Sequence, residues 1–593
     1  MKFNNLKQYF FIMISLALLL QFQTLVAGSN NLKIQQVEIA IPSPSIPYYH
    51  FKMKIDNKNQ KPFRIKKIIA NGKEIHHYEM RDESWNKGDD KSFHFSWPVF
   101  AIDLFGDFVY KNPCLIGRLD WENGQKYNIE VTYSIKGSDD EETITQEVVA
   151  PGKGGYWNTK WKYYKSIVVS EDYGLDRKNE PVEFSLVFYP DQITDISKEL
   201  RIVQIDKNGN TKVLPSQVYN VQKYLKEDKA RHGDDGKLRP FYWLPSVYAK
   251  VVVPISIEEK SNTVLLAFYG NPKAEKPEIK SNLKVTGEGL GLTIENEFYK
   301  VKLHPESGML HEVTLKDKPE LTLEHKLETN GAIHWNPGAY SPKRPWMHAS
   351  DWNPPENFET ISGPIMFTLH RKGHMPNMPE IALAITYKFF GNSPFILMST
   401  ALEIKKTIPL QALRNAEIVF NHKLIDKAAW QDPTSDDPII INLDDVPNLT
   451  EIHLPLDVSW VSFINSKEKL GFAGIPLEYT NSSLNNEPFD YDPYMYITKG
   501  PWVYWTRVLV TPYMTQNIQQ IIEVPEGNCY WEKWAWMPFE LNSGDEFEQL
   551  DDLQERLKHP LRIQLTDERD ARVRIPDEIY TDPTKTGWEE MDK

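Results

Sequence analysis

The feature that most constrains the fold is a period of two. Lys33-Ile34-Gln35-Gln36-Val37-Glu38-Ile39, Tyr49-His50-Phe51-Lys52-Met53-Lys54-Ile55 and Tyr127-Asn128-Ile129-Glu130-Val131-Thr132-Tyr133 each alternate side-chain character from one position to the next. Successive side chains of a strand point to opposite faces, so such runs are half-buried antiparallel strands. Turn residues separate them, and the chain holds 41 Pro and 30 Gly. A 593-residue chain written this way is expected to be all-β and to divide into several domains.

Composition narrows the function class. A hydrophobic fraction of 40% excludes disorder as the main state. The net charge of −14 argues against a nucleic-acid coat or an anionic-membrane binder, which need basic surfaces. Cys114 and Cys529 are too few for a disulfide scaffold or a cysteine-built zinc site. They could pair outside the cell, or stand as two buried thiols. Aromatic residues are abundant, with 17 Trp, 28 Tyr and 27 Phe.

Residues 1–28 read as a secretory signal peptide: a basic start at Lys2 and Lys7, an apolar stretch Phe10–Leu20, and small residues Val26-Ala27-Gly28. The apolar stretch is about half the ~20 residues that span a bilayer, and no Cys follows for lipidation. A secreted or periplasmic protein without membrane insertion is expected. Residues 29–150 have the size and pattern of an immunoglobulin-like sandwich, followed by the linker Pro151-Gly152-Lys153-Gly154-Gly155. Residues 157–275 form a second β-sandwich, with clear strands at Val182–Phe188 and Thr263–Tyr269 and a charged excursion from Lys223 to Lys237. Residues 283–540 suit one large sandwich, opening with a strand Leu292–Leu303. In 541–593, Phe547, Leu550, Leu553 and Leu557 mark one helix face that Pro560 ends, ahead of an acidic tail.

The string Ile294-Glu295-Asn296-Glu297-Phe298-Tyr299-Lys300-Val301, followed by Ser307-Gly308-Met309-Leu310, resembles a signature of the galactose-mutarotase-like superfamily. That family comprises large β-sandwiches of mutarotases, α-mannosidase accessory domains and polysaccharide lyases. The resemblance implies a β-supersandwich over 283–540 acting on carbohydrate. The whole chain also resembles secreted multi-sandwich proteins of polysaccharide-utilisation clusters in marine Bacteroidetes. Its domain order departs from the rhamnogalacturonan-lyase arrangement, so no catalytic pair carries over.

Seven of the 15 histidines fall within 304–374. Histidine suits proton transfer near neutral pH. Within Gly331–Pro355 stand five prolines, three tryptophans and two histidines, with no apolar period, so a long functional loop is expected rather than a strand or helix. His334, Tyr340 and His348 are proton-transfer candidates there, and His374 joins them from the run His370-Arg371-Lys372-Gly373-His374. Trp335, Trp346 and Trp352 offer flat faces to sugar rings, Asn336 can hydrogen-bond, and Arg344 and Arg371 can clamp a carboxylate or sulfate. Arg414-Asn415-Ala416-Glu417 interrupts a strand, as a buried Arg–Glu pair or as a sugar ligand through Arg414. His334, His348, Asp351 and His374 could meet at a metal, but no H-E-x-x-H or short ligand triplet stands in the chain. No metal ligand is assigned, and the cofactor is left open.

These residue types fit β-elimination on a uronic acid, by a polysaccharide lyase or an oligosaccharide dehydratase, with an acidic poly- or oligosaccharide such as ulvan as the expected partner. A glycoside hydrolase, which needs paired carboxylates, and a non-catalytic glycan-binding protein are the alternatives.

Overall fold

The computed structural model describes residues 31–565 except 41–48, 77, 83–96, 99–108, 111–112, 120, 123, 139, 151–156, 159, 206–210, 225–245, 320, 325–333, 336–337, 342–343, 492, 511–520 and 543–545. For 334–335, 338–341 and 344–346 the description is of the backbone. The expected leader 1–28, the linker 151–155 and the acidic tail beyond 565 lie outside it. Among the described residues no helix is long and apolar enough to cross a membrane.

The chain is nearly all β. It divides into two compact units, 1–155 and 156–593. In the first, one sheet holds Lys33–Ala40, His50–Asp56, Pro113–Arg118, Tyr78–Asp82 and Trp97–Pro98, and another holds Lys73–Glu74, Phe63–Ala70, Lys126–Ile135 and Glu141–Val149. The period of two becomes burial directly. Phe51, Met53 and Ile55 are buried in one sheet, and Ile129, Val131 and Tyr133 in the other. Cys114 is buried and Cys529 half-buried, and neither forms a disulfide.

The second unit begins with a five-stranded and a three-stranded sheet around Ile167, Val169, Phe184, Leu186, Val251 and Leu265. The fifth strand of the larger sheet is Arg562–Leu565, which pairs antiparallel with Tyr163–Ser170. By sequence this segment belongs to the C-terminal tail. A four-residue strand has too short a pattern to stand out, and its partner is remote: Arg562 bonds Asp172 from 390 residues away.

The helix Glu548–Lys558 forms where its apolar face predicted, burying Phe547, Leu550 and Leu553. Phe547 stacks on Trp460, whose indole N–H donates to Asp551 at 2.7 Å.

The large sandwich is built on β1 (His334–Trp335), β2 (Gly338–Ser341), β3 (Arg344–His348), β4 (Asn357–Ser362), β5 (Met366–Met375), β6 (Met378–Phe390), β7 (Ile396–Ile404), β8 (Ala412–Asn421), β9 (Glu451–Leu454), β10 (Leu470–Ser483), β11 (Tyr494–Lys499), β12 (Trp502–Val510) and β13 (Asn528–Glu540). One seven-stranded sheet runs β3-β2-β8-β12-β11-β9, with β1 also on β8. A nine-stranded sheet runs β4-β5-β6-β7-β13-β10 and continues through Trp460–Asn465, Lys427–Gln431 and Ile439–Asn442. Leu383, Ile385, Met398, Ile418, Val503, Trp505, Trp534 and Trp536 belong to one core shared by these sheets. Much of the aromatic content is spent here.

The segment Leu292–Leu303, expected as one strand, is a hairpin of Gly291–Glu295 and Tyr299–Leu303. Asn296 makes the turn. Its side-chain oxygen accepts from the N–H groups of Phe298 and Tyr299, both at 2.9 Å. Its amide donates to the carbonyls of Phe390 at 2.8 Å and Ser393 at 3.0 Å. A side chain that satisfies its own turn breaks the strand despite continuous alternation. Asn296→Ala removes four hydrogen bonds at a position 3% exposed. It is expected to cost about 2–4 kcal/mol at roughly 1 kcal/mol per bond, measurable as a lower urea midpoint for the large sandwich.

Candidate functional site

The Trp- and Pro-rich segment is not the irregular loop its composition predicted. It supplies β1, β2 and β3 and a short turn of helix, Ala349–Asp351. Strand pairing needs a partner's backbone more than an apolar period, and β8 provides it. Pro345 is tolerated because β3 is an edge strand, where a missing N–H breaks no internal ladder.

Register places the predicted residues on β8. Gly338 pairs with Arg414 on one side and His348 on the other. His348, Gly338 and Arg414 therefore share one cross-strand row. His334 pairs with Val419, which pairs with Tyr504, so His334 lies on the row of Tyr504 two strands away. At ~4.8 Å per strand, that separation is about 10 Å. Trp335 pairs with Ile418 and Tyr340 with Ala412, while Arg344 and Trp346 lie on the outer strand β3. Asn336 lies outside the described residues.

Arg414 is the centre of a polar cluster on the face of this sheet away from the core. A bulge between Asn415 and Ile418, with Ala416 at φ 51°, turns Arg414 and Glu417 to the same side. Their ion pair is 3.0 Å long, with side chains 10% and 5% exposed. The same guanidinium nitrogen donates to the Tyr496 hydroxyl at 2.9 Å and reaches that of Tyr504 at 3.5 Å. The two hydroxyls are 3.3 Å apart. Burial opposes the charge on Arg414, but Glu417 and the tyrosines overcome it and raise its pKa. Burial likewise raises Tyr496 and Tyr504, and Arg414 pulls both part of the way back. Tyr504 is half-buried and is the cluster's phenol nearest solvent. Glu451, on β9, is raised by burial, against the pull of His453 and Arg414. His453 stacks on Tyr494, ring centroids 4.9 Å apart.

Three assignments are corrected. Arg414 is not an open sugar ligand, because Glu417 and two phenols already engage it in a buried setting. Arg371 is fully buried. It donates to the Ser307 carbonyl at 2.9 Å and lies 4.5 Å over the Tyr387 ring, so it fastens the 304–310 turn to the sandwich and clamps no surface anion. Alternation explains this, since Arg371 points to the core with Leu369 and Phe367. Trp352 is only 5% exposed and donates its indole N–H to the His374 carbonyl at 2.8 Å, so it presents no sugar platform.

His374 does not join the Arg414 cluster. It lies on the nine-stranded sheet and bonds Glu356 at 2.7 Å, an interaction that holds the Glu356 carboxyl below its usual range. His348 pairs with Asp351, 3.5 Å between ring nitrogen and carboxylate, and its backbone N–H donates to the same carboxylate at 2.9 Å. Among the described residues no group of three or more His, Cys, Asp or Glu could hold a metal ion.

The rings of 491–507 stand out in the sequence, but composition does not sort them. Alternation does so once the faces are known: Met495, Ile497, Val503 and Trp505 fill the core, and Tyr494, Tyr496 and Tyr504 face away. Glu451 and His453 stand on a four-residue strand and carry no sequence signal.

No protein-family model matches the chain, and no curated protein matches it. Among solved structures it is similar to a protein in the glycosyl hydrolase family 38 from Enterococcus faecalis, with 10% identity and a TM-score of 0.42 over 70% of this chain and 48% of that one. An α-mannosidase from Enterococcus faecalis V583 gives 10% identity and 0.43 over 70% and 47%. The chain thus spans about half the length of these two structures. A galactose mutarotase-like protein from Lactobacillus casei ATCC 334 gives 10% identity and 0.28 over 42% of this chain and 99% of that one.

Proposed function

We propose that the protein is a secreted carbohydrate-active lyase that performs β-elimination on a uronic acid at the Arg414–Tyr504 cluster. One observation carries this reading. Two histidines of the 334–348 segment fall in register with the cluster, His348 of the edge hairpin on the Arg414 row and His334 of β1 on the Tyr504 row. In the reaction a base takes the proton from C5 beside the carboxylate. Its electron pair forms the C4–C5 double bond, the C4–O bond breaks, and an acid protonates the departing oxygen. One of these two histidines is the base. Tyr504, kept protonated by burial, is the acid, and Arg414 positions its hydroxyl. Arg344 on β3 neutralises the substrate carboxylate. A departing sugar makes the enzyme a polysaccharide lyase; departing water makes it an oligosaccharide dehydratase.

Incubation with ulvan-type uronate oligosaccharides should raise ultraviolet absorbance from the unsaturated uronate. Tyr504→Phe, and alanine at His334 or His348, should lower kcat by about 10²–10⁴-fold, while His374→Ala stays within about twofold of the parent. A flat absorbance trace with every acidic glycan, together with release of reducing sugar, sinks the lyase reading. A glycoside hydrolase has one observation in its favour, the raised carboxyl of Glu451 beside Arg414, which also holds the second carboxyl group, Glu417. Glu451→Gln would abolish reducing-sugar release in that case and spare the elimination in the other.

A further inference from the structure

Among the described residues, the apolar cluster on the outer face of the nine-stranded sheet gathers at one end. There Trp460, Ile464, Ala473, Ile475 and Phe539 pack with the helix residues Leu550 and Leu553. At the other end lies an open groove of about 400 Å³, whose lining includes Lys372, His374, Ala384, Ala401, Glu403 and Trp531. Its shape follows from register. Asn357, Lys372, Ala384, Ala401 and Trp531 form one cross-strand row over five adjacent strands. His374, Ala382, Glu403 and Cys529 form the next row. Exposed faces of sheets ordinarily carry long side chains, and here the middle of the floor is cut back to alanine. Lys372 and Trp531 stand three strand spacings apart, about 14 Å, with only two methyl groups between them.

We infer that this groove is a second saccharide-binding site, separate from the Arg414 cluster and holding a hydroxyl-rich, uncharged stretch of glycan. Trp531 is half-buried and gives one wall an apolar ring face, the partner that C–H faces of a pyranose need. Opposite it, Asn357, Lys372 and the His374–Glu356 pair offer donors and acceptors, and a concave site with a ring and a few polar groups is the usual form of a small-ligand site. Both carboxylates are already engaged, Glu356 by His374 at 2.7 Å and Glu403 by Lys405 at 2.9 Å, and the two lysines Lys372 and Lys405 match them in number. A balanced groove has no demand for an anion, which distinguishes its ligand from a uronate. An extended peptide is disfavoured, because strand addition uses a sheet edge and this is a face. The choice of saccharide rests on the carbohydrate reading above; the groove itself does not.

Affinity electrophoresis tests it, with native gels containing xylan, ulvan or no polymer. The wild-type chain should be retarded by xylan. Trp531→Ala, and separately Ala401→Trp, which fills the floor without removing the ring, should each weaken that retardation at least tenfold. Both should melt within about 2 °C of the parent and keep its rate on short uronate oligosaccharides. Cys529 gives an independent reading: with Cys114 buried, it is the accessible thiol of the two, and xylohexaose should slow its alkylation. The proposal is overturned if no polymer retards the wild type, or if both variants bind as well as it does. Loss of the ultraviolet signal with Trp531-dependent retardation retained would remove the lyase reading and leave the groove standing.

Discussion

Arg414→Ala is expected to lower kcat/KM on uronate oligosaccharides by about 10²–10³-fold, the cost of losing one preorganised donor. The same change should reduce stability by about 3–5 kcal/mol, because it leaves a buried charge without its partner. That charge is Glu417, which is 3% exposed. Activity and folding would thus fall together, and a second variant separates them. Replacing both partners, Arg414→Met with Glu417→Met, removes the stranded charge. Apolar replacement of a buried pair is often neutral, so stability should return to within about 1 kcal/mol of the parent. Activity should stay low, since Tyr496 and Tyr504 have lost the group that orders them. Urea unfolding and the ultraviolet assay measure the two quantities. Recovery of activity in the double variant would make Arg414 a structural residue only.

Arg507→Ala is the second large effect, and it is one of stability. Glu532 is fully buried between the sheets, paired with Arg507, whose guanidinium lies 4.7 Å over the Tyr479 ring. Burial raises the Glu532 carboxyl above its usual range even against the pull of Arg507. Removing Arg507 should cost about 3–5 kcal/mol near neutral pH. The pH dependence has a definite sign. A carboxyl with a raised folded pKa binds a proton more readily in the folded chain than in the unfolded one. Its contribution is present below the ordinary carboxylate pKa and is lost as pH rises through the raised value. Without Arg507 that value rises further. The variant's deficit should therefore be larger at pH 8 than at pH 5. Equal deficits at both would show that Glu532 ionises freely and is not held in the core.

The fold was legible where the signal is local. Alternation at Phe51–Ile55 and Val182–Phe188 gave strands with the faces that are buried. The spacing of Phe547, Leu550 and Leu553 gave the helix. Reading failed where one side chain or one distant strand outweighed the local pattern. Asn296 turned a continuous run into a hairpin, and β8 drew β1–β3 out of a segment with no period. Arg371 illustrates a third case: the residue type promised an anion clamp, but its place in the alternation sent it inward.

For the site, the sequence alone determined the ingredients: a cluster of histidines and rings between 334 and 374, and an Arg–Glu pair in an interrupted strand. Their types follow from composition and their spacing from the chain. Only the tertiary structure decided which of them meet. Strand order set His348 and His334 on rows with Arg414 and Tyr504, and it put His374 on the other sheet. Cross-strand neighbours are fixed by register between segments tens to hundreds of residues apart, and a one-residue slip would send every side chain to the opposite face. No local pattern encodes that choice, because it is made by the packing of two sheets around one shared core.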